Sequence, residues 1–125
     1  MKHLLFFLAL GLAISCTSQD TKSSSNIKRV GNEEWKTLIS EESKPLLVDV
    51  RTAQEFEKGH LDGALNIDFR QNDFMERMLA LDKEKTLFMY CHSGGRSGKA
   101  LELLKDKEFK GIIELQGGYS NWESD

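Results

Sequence analysis

Cysteine is nearly absent from this chain: Cys16 and Cys91 are the only two in 125 residues. No C-x-x-C pair exists to support a thiol oxidoreductase. An excess of positive charge is also lacking. Lys and Arg number 17 against 20 Asp and Glu, a formal net charge of −3, and a mildly acidic chain with scattered basic residues is not a nucleic-acid binder on electrostatic grounds. There is no internal repeat. Proline occurs once, as Pro45, which breaks the chain between two segments. No apolar run is long enough to cross a bilayer as a helix: the longest, Leu4 to Ile14, has the length of a signal-peptide core. The length permits one domain.

What is present at the start fits export. Met1-Lys2-His3 is a short basic flank, the apolar run follows, and Ala13-Ile14-Ser15 occupies the usual cleavage positions. Residues 1–15 are therefore expected to be a signal peptide. Cys16, next in line, resembles the lipidated first residue of a bacterial lipoprotein, although Ala13 stands where such signals usually carry Leu. The same bond would suit an ordinary signal peptidase, which would leave a soluble periplasmic protein. The lipoprotein resemblance implies an exported, periplasmic chain held to a membrane by lipid at Cys16. Residues 16–26 are polar and Ser-rich and are expected to form a flexible tether. Removing residues 1–15 takes away one Lys and no acid, so the formal charge goes from 17 − 20 = −3 to 16 − 20 = −4. With Cys16 acylated, Cys91 is the only free thiol. An idle exposed thiol is a liability in an oxidising compartment, so Cys91 is either buried and inert or placed to react.

From Ile27 to the last residue the chain alternates strand-like and helix-like segments. Ile27–Val30 reads as a first strand, followed by a helix with Asn32 as its cap and an apolar face of Trp35, Leu38 and Ile39. Leu46–Val50 is apolar without alternation, as expected of a strand covered on both faces. Thr52-Ala53-Gln54-Glu55 fits a capping box, and Gly59 should end that helix. Ala64–Ile67 is a third strand, and Phe74, Met75, Met78 and Leu79 mark the next helix. Thr86–Tyr90 is the clearest buried strand, and a helix with Ala100, Leu103 and Leu104 inward follows it. Ile112–Leu115 is the last strand; Gly117-Gly118 turns the chain into a short helix bearing Tyr119 and Trp122. The pattern predicts an α/β domain over 27–125: a central, mostly parallel five-stranded sheet with helices on both faces. In such sheets ligands bind beyond the carboxyl ends of the strands, and Cys91 lies at such an end.

The segment from Cys91 to Ser97 meets the needs of a thiolate. Only the ionised sulfur attacks well, and its pKa falls near a helix N-terminus or a fixed cation. The segment joins a buried strand to a helix start, where unpaired N–H groups converge. Gly94 and Gly95 should let the backbone curl into a nest, Arg96 brings a permanent charge, and Ser97 can cap the helix or donate to the sulfur. Each feature alone fits an ordinary turn or a buried cysteine; together in one strand-to-helix turn they point to a nucleophile.

Cys91-His92-Ser93-Gly94-Gly95-Arg96-Ser97 resembles the active loop of rhodanese-type sulfurtransferases. Leu47-Val48-Asp49-Val50-Arg51, with Glu55-Phe56 and Gly59-His60-Leu61-Asp62-Gly63-Ala64, is similar to a second signature of that family, and Leu115-Gln116-Gly117-Gly118 with Trp122 to a C-terminal one. Asp62 departs from the family's usual Pro and is expected to alter a turn. The resemblance implies a rhodanese-like fold and a sulfurtransferase in which Cys91 takes a sulfane sulfur from thiosulfate or a similar small anion. A Cys91 persulfide would then pass that sulfur to a thiol or to cyanide. Substrate would be held by His92, Ser93, Gly94, Gly95, Arg96 and Ser97, with Asp49 and Arg51 supporting the loop, and no metal or organic cofactor would be needed.

Bland readings remain for several of these residues. His92 would either steer an anionic donor or face solvent. Asp49 and Arg51 read as a structural ion pair, His60 as a structural hydrogen-bonding histidine, Lys99 as a surface lysine, and Trp35 and Trp122 as core. Two other functions compete. A cysteine phosphatase or arsenate reductase shares the loop design, but that class usually places five residues between Cys and Arg, and here four separate Cys91 from Arg96. A non-catalytic rhodanese-like binding module is the other; such modules often lack the cysteine.

Overall fold

The computed structural model describes residues 26–122 together with Gly11. The expected signal peptide over 1–15, Cys16 and nearly all of the tether lie outside the described residues. Ten elements follow in chain order: β1 (Asn26–Val30), α1 (Asn32–Ser40), β2 (Leu46–Asp49), α2 (Ala53–Lys58), β3 (Leu65–Asn66), α3 (Phe74–Leu79), β4 (Thr86–Tyr90), α4 (Gly95–Leu104), β5 (Gly111–Leu115) and α5 (Gly118–Trp122). The tether was expected to run through Asn26, but Asn26 already pairs with Gly111 in the sheet.

The strands form one five-stranded sheet in the order β1-β5-β4-β2-β3, and every pairing is parallel. Side chains alternate across it. From β4, Leu87 and Met89 enter a core with Val48, Met78, Ala100, Leu101 and Leu104, and Cys91 continues that row. Phe88 and Tyr90 enter the opposite core with Trp35, Val30 and Leu115. Trp35 meets Phe88 edge-on, with ring centroids 5.3 Å apart. Both faces are thus covered, which is why β2 and β4 read as continuous apolar runs.

Four local expectations need correction. Leu103, expected inward on α4, is 49% exposed, and Leu101 takes its place in the core. Asn32 does not cap α1: Gly31 takes the cap position with extended backbone and Asn32 is the first helical residue. Its amide instead donates to the carbonyl of Asn121 at 3.3 Å, tying α1 to α5. The third strand is only Leu65–Asn66, at the sheet edge, with Leu65 50% exposed. Trp122 is half-buried against the second core, not fully inside it.

Candidate active site

β4 delivers Cys91 to the carboxyl end of the sheet, and α4 begins at Gly95. Between them the backbone reverses through Gly94, whose φ of +99° lies in the left-handed region. Gly95 does not share that conformation: it is the first residue of α4, and a Cβ there would meet nothing within 4 Å. Curling therefore falls to Gly94 alone.

The turn aims donors at the sulfur. The N–H of Gly94 reaches Cys91 Sγ at 3.1 Å and the hydroxyl of Ser97 lies 3.2 Å from it. Burial pushes the thiol pKa up, because Cys91 is only 1% exposed. The Ser97 hydroxyl and the N–H groups of Ser97, Gly94 and Ser93 outweigh that effect and hold the thiol below its ordinary value. His92 and Ser93 point outward and are exposed, while Gly94 and Ser97 are buried.

The carbonyls of the same turn face the other way and are held by α5. Tyr119 N–H donates to Cys91 O and Ser120 N–H to His92 O, each at 2.8 Å. This contact needs Gly118, where φ is +63° and a Cβ would sit 2.5 Å from Cys91 O and 2.6 Å from His92 O. With its carbonyls fixed outward, the turn must present its N–H groups inward.

Arg96 brings its charge to the turn with the guanidinium held by a carboxylate, and it still feels the charge of Cys91. Its guanidinium makes two bonds to Glu55, at 2.6 and 2.9 Å. Glu55 also closes the capping box of α2 with Thr52. The Arg96 hydrogen bond is the main reason the Glu55 carboxyl is held down at about 2. Arg96 thus clamps the first turn of α4 to the first turn of α2.

Asp49 and Arg51 form the structural pair read from the sequence. Arg51 Nη2 lies 2.7 Å from Asp49 Oδ2 and donates to Gly59 O at 2.6 Å. The buried guanidinium also stacks 4.3 Å from the centroid of the Tyr119 ring. His60 accepts its structural reading too: Nδ1 lies 2.8 Å from Phe56 O, and its ring stacks on Phe56. Arg51, Glu55, Lys58, His92 and Tyr119 line a pocket of about 220 Å³ at the mouth of the site. Lys99 is exposed. Among the described residues, no group of His, Cys, Asp and Glu side chains is arranged to hold a metal ion.

Sequence reasoning missed a second layer behind the sulfur. Glu114 of β5 is fully buried. Its Oε1 lies 2.5 Å from Ser97 Oγ and its Oε2 accepts from Arg29 Nε at 2.7 Å. Arg29 Nη2 also reaches Gly94 O at 3.3 Å. One signal was available: a carboxylate inside the apolar strand Ile112–Leu115 must find partners, because an unpaired buried charge is not tolerated. Glu55 carried signals for its cap and for the second signature, but none for its hold on Arg96.

Comparison with known proteins accords with this geometry. The family model described as "Rhodanese-like domain" matches residues 32–125. "Putative sulfurtransferase YtwF" of Bacillus subtilis is 32% identical over 99 residues, covering 79% of this chain and 93% of its own. "Thiosulfate sulfurtransferase 16, chloroplastic" of Arabidopsis thaliana is 35% identical over 85 residues, covering 60% of this chain and 71% of its own. Other relatives are longer, and this chain spans 54% and 34% of two of them. The crystal structure of a rhodanese-like domain protein from Staphylococcus aureus superposes with a TM-score of 0.66 at 25% identity, covering 76% of this chain and 90% of that one. With a parallel sheet that delivers a cysteine into an N–H-lined turn, and a family match running from α1 past α5, this chain belongs to the rhodanese-like domain family.

Proposed function

We propose that this protein is a sulfurtransferase that works through a Cys91 persulfide, with thiosulfate or a similar small anion as donor. The observation that carries the reading is the Cys91 sulfur itself, seated among the N–H groups of Ser93, Gly94 and Ser97 with its pKa lowered. The thiolate attacks the outer sulfur of thiosulfate. A new S–S bond forms on Cys91, the donor's S–S bond breaks, and sulfite leaves with the electron pair. A thiol or cyanide then takes the terminal sulfur and returns the thiolate. The N–H groups that stabilise the thiolate also suit a persulfide anion. Lys58, on the rim of the pocket at its mouth beside His92, supplies a positive charge for an anionic donor.

The size of the turn favours sulfur over phosphate chemistry. Only His92, Ser93 and Gly94 lie between Cys91 and the start of α4, and the Arg96 guanidinium is engaged by Glu55. Neither feature suits a loop that must wrap a tetrahedral oxyanion. We also infer export and lipidation at Cys16, from the basic flank, apolar run and cysteine of the first 16 residues.

Intact mass tests both readings. Incubation with thiosulfate should add one sulfur atom to the wild type, cyanide should discharge it, and Cys91→Ser should acquire none. Turnover of an aryl phosphate or arsenate without sulfur loading would overturn the proposal. Chain recovered from bacterial membranes should begin at Cys16 and carry acyl mass; a soluble chain without it would remove the anchor.

A further inference from the structure

Behind the nucleophile, Ser97 of α4 and Glu114 of β5 form a buried chain that ends on the half-exposed Arg29 of β1. Cys91 Sγ lies 3.2 Å from Ser97 Oγ, which lies 2.5 Å from Glu114 Oε1, while Arg29 Nε holds Glu114 Oε2 at 2.7 Å. Cys91 is 1% exposed, and Ser97 and Glu114 are fully buried. The Ser97 hydroxyl has one hydrogen and stands between two groups that both need it when both are anionic. As two anions, Cys91 and Glu114 would compete for that hydrogen, and sharing one proton between them removes the competition. Either Ser97 donates to the carboxylate and the thiol donates to Ser97, or the carboxylic acid donates to Ser97 and Ser97 donates to the thiolate.

We propose that Glu114 is the internal proton acceptor for Cys91, acting through the Ser97 hydroxyl, with Arg29 setting how readily the carboxylate takes the proton. The inference rests on the reading of Cys91 as the nucleophile. In the step, the S–H bond breaks and its proton forms a new O–H bond on Ser97. The original Ser97 proton passes to Glu114 Oε1. A thiolate replaces a carboxylate, Ser97 is unchanged, and the net charge of the buried cluster stays the same. That conservation matters because two anions bridged by one hydroxyl in a desolvated site repel strongly. Glu114 touches no reacting atom and is a positioning residue that acts through Ser97.

The surroundings leave this pair to govern itself. From β1, Arg29 serves Glu114 and the Gly94 carbonyl, and Glu102 of α4 acts on Arg29. Arg96 of α4 feels the charge of Cys91, but it is engaged by Glu55 of α2 and also feels Asp68. At the end of β2, Asp49 and the following Arg51 neutralise each other. From α5 the turn receives only the N–H groups of Tyr119 and Ser120. His92 and Lys58 stand at the mouth.

The test is the ultraviolet absorbance of the thiolate across pH, read as a difference against Cys91→Ser, with circular dichroism as the check of folding. The shared proton gives the wild type a plateau of thiolate below the final high-pH rise. Glu114→Gln keeps the shape and removes the acceptor. Thiolate at a fixed pH on the plateau should then fall about tenfold or more, the equivalent of at least one pKa unit. A carboxylate that acted only as a neighbouring negative charge would have the opposite effect, so a rise, or no change, overturns the proposal. Should Glu114→Gln fail to fold, Arg29→Gln decides, since Arg29 is 48% exposed. Without its guanidinium the carboxylate holds a proton more strongly, and thiolate on the plateau should increase. A cation that merely supported the thiolate would give a decrease, and a decrease or no change overturns the proposal. The readout needs no sulfur donor. A plateau without sulfur loading would remove the sulfurtransferase reading and keep the relay, and loading without a plateau would do the reverse.

Discussion

Gly95 and Gly118 lie in two motifs that the sequence marks equally, yet they do different work. At Gly118 the backbone is left-handed, with φ +63°, and a Cβ would overlap the carbonyl oxygens of Cys91 and His92. Both obstacles are backbone atoms that cannot swing aside. Gly118→Ala should therefore cost about 2–3 kcal/mol, combining positive-φ strain with displacement of the turn, and should lower sulfur loading by moving the N–H groups off the sulfur. At Gly95 the space is open and the conformation helical. Gly95→Ala should be neutral or stabilising by up to about 1 kcal/mol. Urea denaturation of both variants checks the contrast, and equal losses would show that the carbonyl contacts with α5 are not what positions the turn. Cys91 and the glycines could be read from residue type and spacing. Which glycine was indispensable could not, because the answer lies in α5, at the far end of the domain from the turn in chain order.

α2 shows what local sequence reveals and what it hides. Its capping box was legible because Thr52 and Glu55 are three residues apart and interact only locally. The second task of Glu55, clamping Arg96 across 41 residues, leaves no local trace. For the same reason the sequence shows that Arg96 brings a charge to the turn but not that Glu55 holds it. The clamp should show in the pH dependence of stability. Glu55 has a folded-state pKa of about 2, below its unfolded value of about 4.3. The unfolded state therefore binds the proton more readily, and the stabilisation is fully present above the unfolded value. It is lost as pH falls between the two values. With side chains 31% and 19% exposed, solvent screening reduces the contribution to the order of 1–2 kcal/mol. Glu55→Gln should lose that amount at neutral pH, and its deficit should shrink as pH approaches the folded value. A deficit that stays constant across the acid limb would mean that the amide variant fails by packing and that charge contributes nothing.

At the scale of the molecule, the alternation of strand and helix was readable because each element carries its own periodicity, and both covered faces follow from the apolar runs of β2 and β4. The order β1-β5-β4-β2-β3 was not: parallel partners are chosen over long separations that no local pattern encodes. That order gives β1 an importance its length disguises. Among the described residues the first strand lies against the last, in register from Asn26–Gly111 to Val30–Leu115. It covers the edge of β5 and brings Arg29 to Glu114. The family match starts only at residue 32, so a chain cut at that boundary would lack β1 entirely. It would expose the β5 edge, lose Val30, which is 3% exposed, and the partly buried Ile27, and leave Glu114 without its guanidinium. Burial of those two side chains alone is worth roughly 2–4 kcal/mol. A chain of residues 32–125 should therefore melt well below one of residues 26–125, with a loss of at least that size by urea denaturation. It should also show more thiolate at equal folded concentration, since the carboxylate behind Ser97 has lost its guanidinium. Equal melting midpoints would mean that the folded unit begins at α1 and that β1 is an accessory strand. Normal midpoints with a raised thiolate fraction would assign β1 to the site alone.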